Sequence, residues 1–268
     1  MKPALDGSVK SVKRALDVLE LLAEAPDAPS FIELMTRLGI PRSSLFHLMG
    51  QLILRGYVEE TPSENRYRLG RMPGIIAGRA ARRTWLTESV RPVIRALSDR
   101  TNEFTAFYVV EDDMARGVAV ESGTHALSYR IAPNHVAPLY AFAAGKVALA
   151  EMDQNALDAY LARVELKAFT ANTITDPDAL RAATAIVRET GLGRSNSEFA
   201  IGVAGFAMAV HAAGALVGII SVSVPEPRLD GRHEHLVTQC LSDAVEQLEA
   251  RLDSGEGPGA SPDQIALG

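Results

Sequence analysis

The 268-residue sequence predicts an N-terminal winged helix-turn-helix, mostly α with a β-hairpin wing, then a helix and a C-terminal α+β domain with an antiparallel sheet. Three observations predict it. Three helical periods precede a hairpin pattern within the first 70 residues. Downstream, strand-like and helix-like segments are grouped rather than strictly alternating. Finally, charge divides along the chain: residues 1–83 hold 13 Lys and Arg against 9 Asp and Glu, whereas the remainder is acidic and brings the total to −6.

Val12, Ala15, Leu16, Leu19 and Leu22 recur at helical spacing, and the Pro26–Pro29 stretch ends that helix. Ser30-Phe-Ile-Glu33 is a capping box, in which two side chains satisfy free amides at a helix start. Phe31, Leu34, Met35 and Leu38 give the second helix its apolar stripe. Gly39-Ile40-Pro41 makes the turn, with Gly suited to positive φ and Pro to a first helical position. Leu45, Leu48, Met49 and Leu52 stripe a third helix that Gly56 closes. Tyr57–Glu60 and Arg66–Leu69 flank a turn at Pro62-Ser63-Glu64-Asn65, which forms the wing.

Residues 71–101 read as helix, with a break near Thr84 and Pro92. Strands are expected at Phe104–Glu111, Arg116–Glu121 and Ala126–Ile131, and helices at about 141–151, 153–163 and 176–190. Asp176-Pro177 supplies a cap and a first-turn proline. Paired strands span 202–224 and a final helix about 231–252. The expected organisation is a winged domain over 1–70, a linker helix over 71–84, an α+β domain over 85–252 and a disordered tail over 253–268.

With 47% hydrophobic and 22% charged residues, the chain can bury a substantial core. A single cysteine, Cys240, excludes an intramolecular disulfide and a thiolate zinc site. Charged residues interleaved through the first 25 positions give no signal-peptide pattern, so the cytoplasm is the expected compartment. Ala200–Pro225 lacks any charge and has membrane-spanning length. Its β-branched content and the Gly214 interruption favour two buried strands, so no membrane association is expected. His211, His233 and His235 raise the alternative of a hydrolase-like enzyme or a metal site. No Gly-x-Ser-x-Gly, HExxH or Walker pattern accompanies them, so no cofactor, metal or catalytic residue is expected.

Opposite the third helix's leucine stripe lie Arg42, Ser43, Ser44, His47 and Gln51. Short hydroxyls near a helix start can reach phosphates, while His47 and Gln51 can reach base edges. Arg66 and Arg68 on the wing would touch flanking backbone or minor groove. Residues 66–83 carry six arginines and no acid, a polyanion-binding signature. The alternatives to a DNA reader are a solvent-facing helix in an interaction module and a small-molecule sensor that does not bind DNA.

Ser11–Glu20, Gly39-Ile-Pro-Arg-Ser-Ser44, Gly56-Tyr-Val-Glu59 and Tyr67-Arg-Leu-Gly70 resemble the IclR family of bacterial transcriptional regulators. The resemblance continues through Ala144-Gly145-Lys146, Thr173-Ile-Thr-Asp-Pro177, Glu198, Gly202-Val203 and Ser221-Val-Ser-Val-Pro225, over about residues 8–250. It implies a winged helix domain, a linker helix and a GAF-like effector domain. It also implies a homodimer or dimer of dimers on a partly palindromic double-stranded DNA operator. Carried over residue by residue, it places a small-molecule effector against Tyr129, Ala137, Ala143, Ala144, Ser195, Val203 and Gly205. Amides at the start of a helix at Ala143-Ala144 independently suit a carboxylate.

This chain departs from the family pattern in both regions. His47 stands where an arginine is typical, removing a permanent cation that could contact guanine. Gly205 replaces a frequent cysteine, and Ser195 stands where an acidic or polar residue is frequent. Smaller side chains there favour a bulkier effector, a carboxylate or an aromatic metabolite, over a two- or three-carbon acid.

Overall fold

A computed structural model describes residues 9–61, 65–125 and 129–254, with backbone alone for residues 79–83. Two compact units divide the chain, Met1–Arg83 and Thr84–Gly268.

The first unit contains α1 (Lys10–Glu24), α2 (Phe31–Leu38), α3 (Arg42–Leu54), β1 (Val58–Thr61) and β2 (Arg66–Leu69). The capping box forms as the sequence predicts: Glu33 N donates to Ser30 Oγ at 3.3 Å and Ser30 N to Glu33 Oε2 at 2.7 Å. Pro41 sits one position earlier than expected, as the residue capping α3. Val18, Leu22, Leu34, Leu45, Met49, Leu52 and Val58 meet in one core, so the predicted stripes of α2 and α3 face each other. The stripe predicted for α1 is corrected: Val12 and Leu16 are exposed, and the helix packs through Val18 and Leu22, with Leu19 and Leu21 half-buried beside them. In the antiparallel hairpin Val58 pairs with Leu69 and Glu59 with Arg68. Tyr67 N donates to Pro29 O, tying the return strand to the connection between α1 and α2. The expected turn residues Pro62, Ser63 and Glu64 lie outside the described residues.

Helix α4 (Arg71–Thr101) runs through both positions where a break was expected, with Pro92 inside it. Proline removes one helical hydrogen bond and crowds the preceding turn. Here Val90, Val93, Ile94 and Leu97 bury one side of the same stretch, and packing outweighs the local loss. The boundary between the two units falls within α4, between Arg83 and Thr84.

The second unit continues with β3 (Phe104–Glu111), β4 (Met114–Glu121), β5 (Val136–Pro138), α5 (Ala143–Glu151), α6 (Gln154–Arg163), α7 (Pro177–Thr190), β6 (Gly193–Asn196), β7 (Val203–Ala212), β8 (Ala215–Pro225) and α8 (Gly231–Asp253). Its sheet has the order β5-β4-β3-β8-β7-β6, antiparallel throughout. Period-two alternation assigns the faces. Ile220, Val222 and Val224 of β8 join Phe107 and Phe206 beneath α8 and the second half of α4. Ile219, Tyr108 and Ala207 face a second core with α5, α6 and α7.

Two expectations for this unit are corrected, and one strand, β6, was not foreseen. Of the expected strand Ala126–Ile131, residues 126–128 lie outside the described residues and 129–131 are irregular; the strand beside β4 is β5, where Val136 and Ala137 pair with Arg116 and Ala115. Strand β6 is short and polar, and its sequence carries no alternation that marks it. Asp253 closes α8 rather than opening a tail, because its carboxylate accepts from Ala213 N at the β7–β8 turn. Residues 255–268 lie outside the described residues. No helix among the described residues is long and apolar enough to cross a membrane.

Candidate functional site

On α3, Arg42, Ser43, His47 and Gln51 are exposed and Ser44 is half-buried. Sequence reasoning missed Phe46, which is 69% exposed on the same helix and meets His47 edge-on with ring centroids 6.0 Å apart. Its signal was available: Phe46 does not fall on the Leu45, Leu48, Met49, Leu52 stripe. The two wing arginines are engaged differently. Arg66 is half-buried and donates to Ala28 O at 2.7 Å, with Glu33 Oε2 3.7 Å away, which anchors the wing to the connection before α2. Arg68 is exposed and pairs with Glu59 across the hairpin.

The second unit holds a pocket of about 450 Å³, including its open mouth, between the start of α5 and the strands. All seven residues proposed from sequence line it: Tyr129, Ala137, Ala143, Ala144, Ser195, Val203 and Gly205. Sequence reasoning missed Tyr108, Ile131, Phe142, Phe199, Ala200, Ser221 and Ser223, which complete the lining. The alternation in Ser221-Val222-Ser223 would have placed both hydroxyls on one face of β8.

Two glycines set this geometry. A Cβ on Gly145 would lie 1.9 Å from Leu139 O, so only glycine lets the first turn of α5 close onto the preceding 3-10 turn, Leu139–Ala141. A Cβ on Gly205 would lie 2.6 Å from Ser195 Oγ and 3.2 Å from Ala143 Cβ. The space above Gly205 is thus already shared by Ser195 and Ala143, which corrects the expectation that it is left open for ligand. Glycine here lets β6 and α5 approach β7.

No side chain caps α5 at Phe142, so the amides of Ala143 and Ala144 stand at the pocket wall without intrahelical acceptors. None of the lining residues carries a charge. The polar groups are phenols and hydroxyls. Burial pushes the Tyr108 phenol well above its ordinary range, partly offset by the Ser221 hydroxyl beside it. Burial raises Tyr129 in the same direction. Both phenols stay protonated at neutral pH and can donate. Phe142 packs edge-on to Tyr108 at 5.2 Å and against Phe199 at 6.1 Å. An uncharged, aromatic pocket with a row of donors and one set of helix-start amides can hold a flat molecule bearing one anionic group.

The histidines behind the enzyme alternative lie apart from this pocket. His211 Nε2 is 2.8 Å from Glu151, and His233 Nε2 is 3.2 Å from the buried Glu103, which also accepts twice from Arg228. Among the described residues no group of three His, Cys, Asp or Glu side chains could hold a metal.

Residues 78–250 match the family described as "Bacterial transcriptional regulator IclR C-terminal", and residues 11–62 match the "IclR helix-turn-helix domain". The chain belongs to the IclR family. Its relatives include the HTH-type transcriptional regulator XynR of Escherichia coli, 30% identical over 83% of this chain and 88% of that one. Among solved structures, an IclR regulator from Silicibacter superposes with a TM-score of 0.62 at 27% identity, over 96% of this chain and all of that one. An IclR homologue from Microbacterium hydrocarbonoxydans complexed with 4-hydroxybenzoate superposes with a TM-score of 0.60 at 22% identity, over 90% and 98%. This IclR protein is a DNA-binding transcriptional regulator rather than an enzyme, with a helix-turn-helix in its first unit and an effector domain in its second.

Proposed function

We propose that this regulator senses an aromatic monocarboxylate in the pocket of its second unit, and that the ligand changes its affinity for a partly palindromic operator. The observation that carries the reading is the chemistry of the lining. Phe142, Phe199 and Tyr108 surround the space with rings, no lining side chain is ionic, and the uncapped amides of Ala143 and Ala144 suit a carboxylate. Ser195, Ser223 and Tyr129 offer hydrogen bonds to a ring substituent. The Microbacterium homologue, which binds 4-hydroxybenzoate, supports the same class. A short 2-oxo acid would leave the aromatic wall without a partner.

The winged unit contacts DNA through Arg42, Ser43, Ser44, His47 and Gln51 of α3, with Arg68 at the flanking backbone and Arg66 holding the wing in place. Residues 71–84 serve as the linker. A single winged helix buries too little DNA surface for tight specific binding, so the chain acts as a homodimer or dimer of dimers, in the cytoplasm. Calorimetric titration of the full chain with benzoate, 4-hydroxybenzoate and pyruvate tests the effector class. Binding of the aromatic acids and not of pyruvate is expected; preference for pyruvate overturns it. Light scattering at micromolar concentration tests assembly, and a monomer removes that part of the reading.

A further inference from the structure

Phe46 is the large apolar side chain on the exposed side of α3 closest to the polar residues expected to read DNA. Leaving a phenyl ring in water is unfavourable, and Phe46 is 69% exposed, meeting the His47 ring edge-on. The helix surface around it is low. Ser43 lies three residues before and Gly50 four residues after, on the same side, and a Cβ built on Gly50 would touch nothing within 4 Å. Arg42, one turn earlier, is exposed as well. Phe46 therefore projects from a wall of small residues between groups suited to phosphate and base edges.

Helix α3 is the second helix of the helix-turn-helix, the element that enters the major groove. In that groove the base pairs present hydrogen-bonding edges and one apolar feature, the C5-methyl group of thymine. Polar base edges would be desolvated against a phenyl ring with nothing returned; the methyl group would gain from it. We infer that Phe46 reads thymine, packing its ring on the C5-methyl of one thymine in each half-site. This makes Phe46 a specificity-determining residue. It also gives the chain a sequence-reading contact in a helix where His47 stands in place of the family's usual arginine. The inference rests on DNA binding by α3.

Replacing thymidine by deoxyuridine deletes only that methyl group. Duplexes enriched from a random pool by the full chain are remade with deoxyuridine at each thymine in turn and titrated by fluorescence anisotropy. With the wild type, one thymine per half-site is expected to be sensitive, with affinity falling about fourfold, the value of one buried methyl group. Phe46→Ala should bind the thymidine and deoxyuridine duplexes equally, while Phe46→Leu keeps part of the difference. Because the ring is exposed, both variants should melt as the wild type does. No uracil-sensitive thymine, or full sensitivity persisting in Phe46→Ala, overturns the assignment. A pool that yields no enriched duplex refutes sequence-specific binding itself, a result distinct from either.

Discussion

Lys146 Nζ donates to both carboxylate oxygens of Glu198, at 2.8 and 2.9 Å, in a pair almost wholly removed from solvent. Lys146 belongs to α5, whose start lines the pocket. Glu198 immediately precedes Phe199 and Ala200, which line its other side. Thr173 Oγ1 donates to Glu198 O at 2.6 Å and Thr170 Oγ1 to Ser197 O at 2.5 Å, so the segment before β7 is held from two directions. The pair is thus the clamp that sets the distance between the two walls.

Removing one partner strands a buried charge. Lys146→Met is expected to cost about 3–5 kcal/mol of unfolding free energy. The charge-free double variant Lys146→Met, Glu198→Met should recover most of it, because it strands nothing. Urea unfolding checks both. A single variant costing under about 1 kcal/mol, or a double variant no better than the single, shows that the pair does not clamp.

Gly205 and Ser195 yield a second expectation. Gly205→Leu must displace Ser195 Oγ and push into the pocket, since even a Cβ there lies 2.6 Å from that oxygen. Effector affinity should fall at least about tenfold, or about 1.4 kcal/mol, with operator affinity in its absence unchanged. Melting temperature should fall as well, because β6 and α5 close onto this glycine; unchanged effector affinity would show that the added side chain does not enter the pocket.

Much of this architecture was legible in the sequence, for identifiable reasons. The second and third helices announce themselves because each has a cap or breaker beside a clean stripe, such as Ser30 with Glu33 and Leu34; α1 was found as a helix, but its buried face runs through Val18 rather than Val12 and Leu16. The seven pocket residues came from resemblance, not from pattern: Ala137, Ala143 and Val203 are small apolar residues like any others in a core. What failed were features set by distant partners. Pro92 reads as a helix end until the packing of Val93 and Ile94 is known. Gly193–Asn196 has no strand pattern, and only the register with Ala204–Ala207 makes it one. Lys146, Thr173 and Glu198 were each visible as motif members. Nothing in their spacing indicates that they meet.

Tyr108 provides a pH test. Burial raises its phenol above the ordinary value near 10, so the folded chain keeps the proton while the unfolded chain loses it. With the folded value raised, its contribution to stability is fully present below about pH 10 and is lost as pH rises above it. Unfolding free energy should fall by up to about 1.4 kcal/mol per pH unit for this one group, and Tyr108→Phe should lessen that slope. Denaturant unfolding between pH 8 and about pH 11 checks it; identical slopes in the two proteins would show that Tyr108 ionises as freely folded as unfolded.

The wing gives the last prediction. Arg68 pairs with Glu59 across the hairpin, with Arg68 exposed and Glu59 half-exposed. An exposed ion pair is worth little, typically under about 1 kcal/mol, so exchanging the carboxylate for a DNA phosphate is easy. Each phosphate neutralised by a cation contributes about −0.9 to the slope of log affinity against log salt. Arg68→Ala should therefore weaken operator binding and flatten that slope by about 1. Glu59→Gln, which removes the competing carboxylate, should strengthen binding at low salt. Arg66→Ala differs in kind: its guanidinium holds Ala28 O, so its loss loosens the wing and lowers the melting temperature as well. Anisotropy titrations at several salt concentrations separate these outcomes. If Arg68→Ala leaves both slope and affinity unchanged, the wing does not touch the DNA backbone, and the contact surface contracts to α3.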